Sequence, residues 1–175
     1  MDYLWTPWRF QYVAGIVDRG GCVFCAAAAG ENDREWLVVH RATHHFVILN
    51  RFPYTSGHLM VVPYAHLADL EELPADALPE MMSLGQRAVR HLKKLYRPDG
   101  LNLGMNLGEA AGAGIASHLH LHVLPRWVGD TNFMTVTGET RVLPEALEVT
   151  WEKLRAAFEE ESFQRSAISD QPSNP

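Results

Sequence analysis

The sequence predicts an α+β domain: an antiparallel sheet of about five strands, one main helix and a C-terminal helix. Three observations predict it. Short β-branched and apolar runs recur between turn residues. One stretch, 78–96, repeats its apolar residues at three- and four-residue steps. A second such stretch, built on Leu147, Trp151, Leu154 and Phe158, follows the last strand-like run. A length of 175 residues suits one domain, and 47% apolar with 21% charged residues is a globular composition rather than a disordered one.

Residues 1–33 read as an N-terminal arm. Trp5, Trp8, Phe10 and Tyr12 make poor solvent-facing residues, so the arm is expected to be ordered. Residues 14–33 are Gly/Ala-rich and irregular in pattern. The domain proper spans 34–161. Trp36–Arg41 and Phe46–Asn50 read as strands separated by Ala42-Thr43-His44. The run from Phe52 to Gly57 is a turn, and His58–Pro63 is a strand apolar enough to be buried on both faces.

The main helix presents Leu78, Met81, Met82, Gly85, Ala88, Val89, Leu92, Leu95 and Tyr96 as its apolar set. Asp76 suits the N-cap, Pro79 falls in the tolerant first turn, and Pro98-Asp99-Gly100 stops the helix. Arg87, Arg90, Lys93 and Lys94 read mostly as a solvated outer face. Leu101–Leu107 is the next strand, then a loop over 108–117, then the strand His118–Trp127, with Phe133–Thr137 a further candidate. Residues 162–175 lack a core pattern and are expected to be a disordered tail.

Charge narrows the function. The net charge is −6, and 145–161 holds six acids against two bases. This argues against a broad nucleic-acid surface but leaves room for a small anionic ligand. No apolar run reaches the roughly 20 residues of a membrane helix. The opening Met1-Asp2-Tyr3 has no basic patch before an apolar stretch, so no secretory signal is expected and a cytoplasmic protein is.

The composition holds nine histidines beside two cysteines, Cys22 and Cys25, too few for a disulfide framework. His118, His120 and His122 strictly alternate with Leu119, Leu121 and Val123. The two-residue period of a strand sends all three imidazoles to one face and the apolar partners to the other. Three readings compete: polar edge-strand residues, a catalytic zinc held by His-x-His, and nucleophilic catalysis by one imidazole. The preceding loop favours phosphorus as the electrophile. Gly108, Gly112 and Gly114 let backbone N–H groups turn inward around phosphate oxygens.

The run His118-Leu119-His120-Leu121-His122-Val123-Leu124 resembles the motif of the histidine triad family of nucleotide hydrolases and transferases. The similarity extends to FVILNRFPYTSGHLMVVPYAH and to NLGEAAG. The opening LWTPWR, the C-x-x-C and GDTNFM resemble its bacterial diadenosine tetraphosphate phosphorylase branch.

The resemblance implies that His120 is the nucleophile and forms a nucleotidyl-histidine intermediate, while His122 hydrogen-bonds phosphate oxygens and assists the leaving group. It implies that Asn106 lies near the α-phosphate, where an asparagine leans toward the phosphorylases. Asn50 matches a ribose-binding position, although its type also suits a strand-end turn. Leu49 and nearby apolar residues are then available to adenine. His58 matches a supporting histidine behind the triad. Gly112 and Gly114 belong to the phosphate loop. Arg126, directly after the triad strand, is a candidate polyphosphate contact.

A cytosolic C-x-x-C is a redox pair, half of a metal site, or vestigial. Thioredoxin-type redox chemistry wants a helix N-terminus after a strand, whereas Cys22 follows a Gly-Gly turn. Two thiolates and two histidines complete a closed tetrahedral zinc site. The resemblance supplies the histidines as His66 and His118, and makes the zinc structural, with no cofactor needed for the chemistry.

The activity so implied is nucleotidyl transfer, foremost phosphorolysis of diadenosine tetraphosphate to ADP and ATP. The alternatives are dinucleoside polyphosphate hydrolysis, adenosine phosphoramidase activity, and a nucleotide-binding regulatory module without turnover. The implied partners are an adenine nucleotide or dinucleoside polyphosphate, with phosphate as second substrate, and no nucleic acid or membrane. The implied assembly is a homodimer with paired sheets, or a higher homo-oligomer. His40, His44, His45 and His91 carry no functional assignment.

Overall fold

In the computed structural model, which describes residues 21–130 and 144–169, five strands form one antiparallel sheet in the order β1-β2-β3-β5-β4. The strands are β1 (Val38–Arg41), β2 (His45–Leu49), β3 (Leu59–Pro63), β4 (Gly100–Gly104) and β5 (Leu121–Arg126). Among the described residues, the α-helices are α1 (Val23–Ala29), α2 (Asp33–Trp36), α3 (Ala77–Tyr96) and α4 (Leu147–Ser169). The N-terminal aromatic residues, Phe133–Thr137 and the end of the tail lie outside the described residues.

Strand periodicity divides the core in two. Val47, Leu49, Leu59, Val61, Leu121 and Val123 face α3 and α4, where they pack on Met81, Leu84, Ala88, Leu92, Leu154 and Phe158. Phe46, Ile48, Met60 and Val62 face the other way and are covered by Phe24 and Ala27 of α1. Both faces of β2 and β3 are therefore buried, as their apolar runs require. Met60 pairs with His122 and Gly104 pairs with His122 from the other side, which places the triad face on the α1 side of the sheet.

Several expectations need correction. The residues around the cysteines are helical: Cys22 is the N-cap of α1 and Cys25 stands in its first turn. An Ala-rich segment carries no apolar stripe by which to read that helix. Trp36 ends the helical turn α2, which Asn32 caps by accepting from the Glu35 amide at 3.3 Å. Asp76 holds the N-cap position of α3 but makes no capping hydrogen bond.

The apolar face of α3 is also rotated from its predicted phase. Leu78, Met82 and Leu95 are exposed, while Arg87 and His91 are buried. The cause is α4, which packs beside α3 and supplies partners for polar groups. Glu161 accepts from Arg87 Nε at 2.9 Å, Arg90 Nη2 at 2.8 Å and His91 Nε2 at 2.8 Å. Arg87 also lies over the Phe158 ring and bonds Ser162 at 3.2 Å. Residues 162–169, expected in the tail, continue α4.

This network predicts acid sensitivity. Burial and the Arg87 charge push His40 down to about 4, and donors on Glu161 hold its carboxyl down at about 2. Each group binds its proton more readily in the unfolded chain, so each contribution is present above the unfolded pKa and lost on acidification. The His40 contribution fades from about pH 6.5 to 4, and that of Glu161 from about 4.5 to 2. Calorimetry should show His40 contributing a loss of about 1 to 2 kcal/mol through the upper window, because water screens its half-buried ring. His40→Gln should shorten that limb and leave the part carried by His45, His91, His118 and His120, whose pKa values burial also lowers.

The turn before β3 depends on Gly57, whose φ is +82°. A Cβ there would stand 2.9 Å from Leu92 Cδ2. Left-handed strain and this contact together predict that Gly57→Ala costs about 2 kcal/mol, readable as a roughly 5 °C lower thermal midpoint.

Candidate active site and metal cluster

The loop over 108–117 closes above the histidine face and completes a cavity of about 900 Å³. Asn50, Asn106, Gly112, Gly114, His120 and His122 all line it. Phe24, Trp36, Ile48, Leu49 and Met60 form its apolar side. The sequence reading missed Phe24, Trp36, Arg51 and Tyr54 as lining residues, because neither spacing nor composition connects them to the triad.

Regular β5 pairing begins only at Leu121, but the alternation holds from His118 onward. Leu119, Leu121 and Val123 enter the helix-side core, while His118 and His120 contact Phe24 on the opposite side. His120 Nδ1 lies 2.8 Å from the His118 carbonyl oxygen. A carbonyl only accepts, so Nδ1 carries the proton and Nε2 keeps its lone pair. Burial lowers the His120 pKa and favours the neutral imidazole, outweighing that hydrogen bond, which acts the other way.

A second chain of bonds fixes His122. The Tyr54 amide donates to His58 Nδ1 at 3.3 Å, so His58 carries its proton on Nε2. That Nε2 lies 2.9 Å from His122 Nδ1 and donates to it. His122 is thereby left with its proton on Nε2, as a donor. The two rings stand edge to face, 4.7 Å apart. A nucleophilic lone pair and an N–H donor thus sit side by side.

Asn50 serves two roles at once. Its Oδ1 accepts from the Phe52 amide at 2.9 Å, closing the turn, while the residue lines the cavity. Asn106 Nδ2 reaches the Gly112 carbonyl at 3.5 Å, and Gly112 adopts φ +86°. Among the described residues, the amides of Gly114, Ile115, Ala116 and Ser117 make no intramolecular hydrogen bond, and all four residues line the cavity. Consecutive unpaired amides of this kind suit an anion.

Arg126 departs from its expected place. It is not among the cavity-lining residues. Its guanidinium makes two bonds to Asp130, at 2.6 and 2.8 Å, and one to Asn102 at 2.9 Å. The nearby carboxylate captures the fork before a substrate can. Among the described residues, Arg51 is the Lys/Arg side chain that does line the cavity, anchored by a 2.8 Å bond to the Glu35 carbonyl.

Beside the cavity, Cys22, Cys25, His66 and His118 bring one ligand atom each within 4.8 Å of one another. Cys22 Sγ and Cys25 Sγ lie 3.2 and 3.7 Å from His118 Nδ1, and Cys25 Sγ lies 3.2 Å from His66 Nδ1. A tetrahedral zinc with ordinary bond lengths needs sulfur–nitrogen edges of about 3.6 Å. His118 Nε2 donates to the Pro63 carbonyl at 2.9 Å, which leaves Nδ1 as the free ligand atom. Burial and the adjacent Cys22 raise the Cys25 thiol pKa, so that thiol resists ionisation without a cation. The donor set and its tautomers fit zinc.

Comparison with known proteins agrees. The HIT domain model matches residues 31–128, more than half of the chain. A Mycobacterium tuberculosis protein named AP-4-A phosphorylase is 42% identical over 157 residues, covering 86% of this chain and 80% of the relative. A zinc-bound histidine triad family protein from Mycobacterium smegmatis superposes with a TM-score of 0.66 at 32% identity, covering 82% of this chain and 97% of that one. A hypothetical histidine triad nucleotide-binding protein from Sulfolobus tokodaii gives 0.63 at 28% identity, covering 79% and 93%. With the family model spanning more than half of the chain and a 42% identical relative covered over 80% of its length, the chain belongs to the histidine triad (HIT) family.

Proposed function

We propose that this chain transfers a nucleotidyl group through His120, and that its reaction is phosphorolysis of diadenosine tetraphosphate to ADP and ATP. The observation that carries the reading is the pair of fixed tautomers: a lone pair on His120 Nε2 beside an N–H on His122 Nε2. Nε2 of His120 attacks the α-phosphorus of one adenylyl group. The bond from that phosphorus to the bridging oxygen breaks, and ATP leaves, with His122 donating a hydrogen bond to the departing or non-bridging oxygen. Inorganic phosphate then attacks the adenylyl-histidine, ADP forms, and the electron pair returns to Nε2.

The free amides from Gly114 to Ser117 stabilise charge on the phosphoryl oxygens without reorganisation. Asn50 is placed for the ribose, and the apolar side of the cavity for adenine. The phosphorylase relative, together with Asn106, supports phosphate rather than water as the acceptor.

The four-residue cluster holds a structural zinc, with Cys22, Cys25, His66 and His118 as ligands. Zinc ties α1 to the histidine segment, and no step of the transfer passes through it. The chain pairs with a second copy across β4, whose edge is open among the described residues and whose Leu103 is 45% exposed. A cytoplasmic setting suits the free thiols.

The test is product analysis with labelled phosphate. Label in ADP, with turnover dependent on phosphate, is the expected result. AMP and ATP formed regardless of phosphate would assign a hydrolase. No turnover of any dinucleotide or phosphoramidate would overturn the enzyme reading.

A further inference from the structure

Phe24 stands between the two cysteines and touches both centres. It is 3% exposed. Its ring centroid lies 5.3 Å from that of His118 and 5.1 Å from that of His120, and the residue also lines the cavity.

The His120 imidazole is buried and meets three partners that direct its ring: the His118 carbonyl, His122 and Phe24. The bond from Nδ1 to the His118 carbonyl fixes one end of the ring. The χ2 torsion of histidine has broad wells, so this one bond restrains the ring without locking its tilt. His122, edge-on at 4.7 Å, limits it from one direction and Phe24, tilted by 49°, from another. The direction of the Nε2 lone pair therefore depends on where Phe24 sits.

Phe24 sits on a helix pinned unequally at its two ends. At the C-terminal end, Arg41 donates to the carbonyls of Ala27, Ala28 and Gly30 at 2.8 to 3.0 Å. At the N-terminal end, Cys22 occupies the cap without a side-chain capping bond. A seven-residue helix has little stability of its own. Besides the packing of Phe24 itself, what fixes the N-terminal turn among the described residues is the cysteine–histidine cluster.

We infer that Phe24 is a positioning residue for the nucleophile, through which occupancy of the cysteine–histidine cluster sets the rate of nucleotidyl transfer rather than nucleotide affinity. The inference rests on the zinc and nucleotidyl-transfer readings above. Loss of the metal frees the turn that carries Phe24, and the His120 ring loses its second wall.

The experiment is a cycle of zinc removal and Phe24→Ala, with Phe24→Leu as a milder variant should the alanine protein not fold. Single-turnover transfer to His120, AMP affinity, zinc content and the nitrogen-15 signals of the His120 ring in ligand-free protein are measured on each form at one pH. Zinc-loaded wild type should show a single Nδ1–H tautomer. Zinc removal and Phe24→Ala should each average the ring signals and slow transfer about 10- to 100-fold; AMP affinity should stay within about threefold on zinc removal, whereas Phe24→Ala also trims the apolar side of the cavity and weakens AMP binding. Combined, they should cost little more than either alone.

Three results would overturn the inference: transfer unchanged with weakened AMP affinity, additive losses, or ring signals indifferent to zinc removal. Should zinc-loaded wild type transfer nothing to His120, the proposed reaction fails, and the ring signals still decide the role of Phe24. Should wild type bind no zinc, the metal reading fails, and Phe24→Ala against the cysteine variants decides it instead.

Discussion

His120→Ala is expected to slow turnover of diadenosine tetraphosphate by about 10³-fold or more. The expectation comes from the geometry of the triad. His120 alone combines a buried, neutral imidazole with an Nε2 lone pair on the cavity. His122 has its Nδ1 occupied as acceptor for His58 and offers a proton instead. No neighbour can therefore substitute for the lost nucleophile. Substrate binding should change little, because the amides of the loop, Asn50 and the apolar side of the cavity all remain. The steady-state measurement thus reads as a fall in kcat with KM nearly unchanged, the pattern of an interaction made only in the transition state. His122→Ala should cost less, since it removes a donor and leaves the nucleophile in place.

The second large effect concerns the cluster. Cys22→Ala should lower stability by about 3 kcal/mol or more, with a thermal midpoint roughly 10 °C lower. Removing one ligand opens a closed site and leaves the second thiol beside two imidazoles with no cation to share. The cluster spans residues far apart in the chain, tying the start of α1 to the segment after β3 and to the triad. Its loss therefore releases the cover of a whole sheet face, where Phe24 and Ala27 pack against Phe46, Ile48 and Val62. Calorimetry with and without a chelator checks this, beside elemental analysis. Wild type should carry zinc and fall to the level of the variant on chelation. A wild type free of metal and indifferent to chelator would contradict the assignment.

The parts of the fold governed by short-range pattern were legible in the sequence. The period of two in 118–123 places the imidazoles on one face, because burial of Leu119, Leu121 and Val123 leaves no other arrangement. The run Leu59–Pro63 likewise declared itself buried on both sides. What escaped depends on neighbours distant in sequence. Arg87 and His91 look like surface residues of an isolated helix, and only the arrival of Glu161 from α4 makes their burial tolerable. Arg126 follows the triad strand directly, but Asp130 holds its guanidinium. Tyr54 acts through its backbone amide, which no side-chain pattern can announce. The helix α1 had no apolar stripe because its buried side is only Phe24 and Ala27, and the cluster supplies the rest of its hold.

The central claim, that His120 carries the nucleotidyl group, is most directly tested by trapping. Acid- and alkali-quenched reactions with diadenosine tetraphosphate, in the absence of phosphate, are digested and analysed by mass spectrometry. The account predicts one adenylyl group on the peptide containing His120, labile in acid, stable in alkali, absent from His120→Ala and discharged to ADP when phosphate is added. Continued turnover without any adduct, or an adduct on another residue, would contradict it.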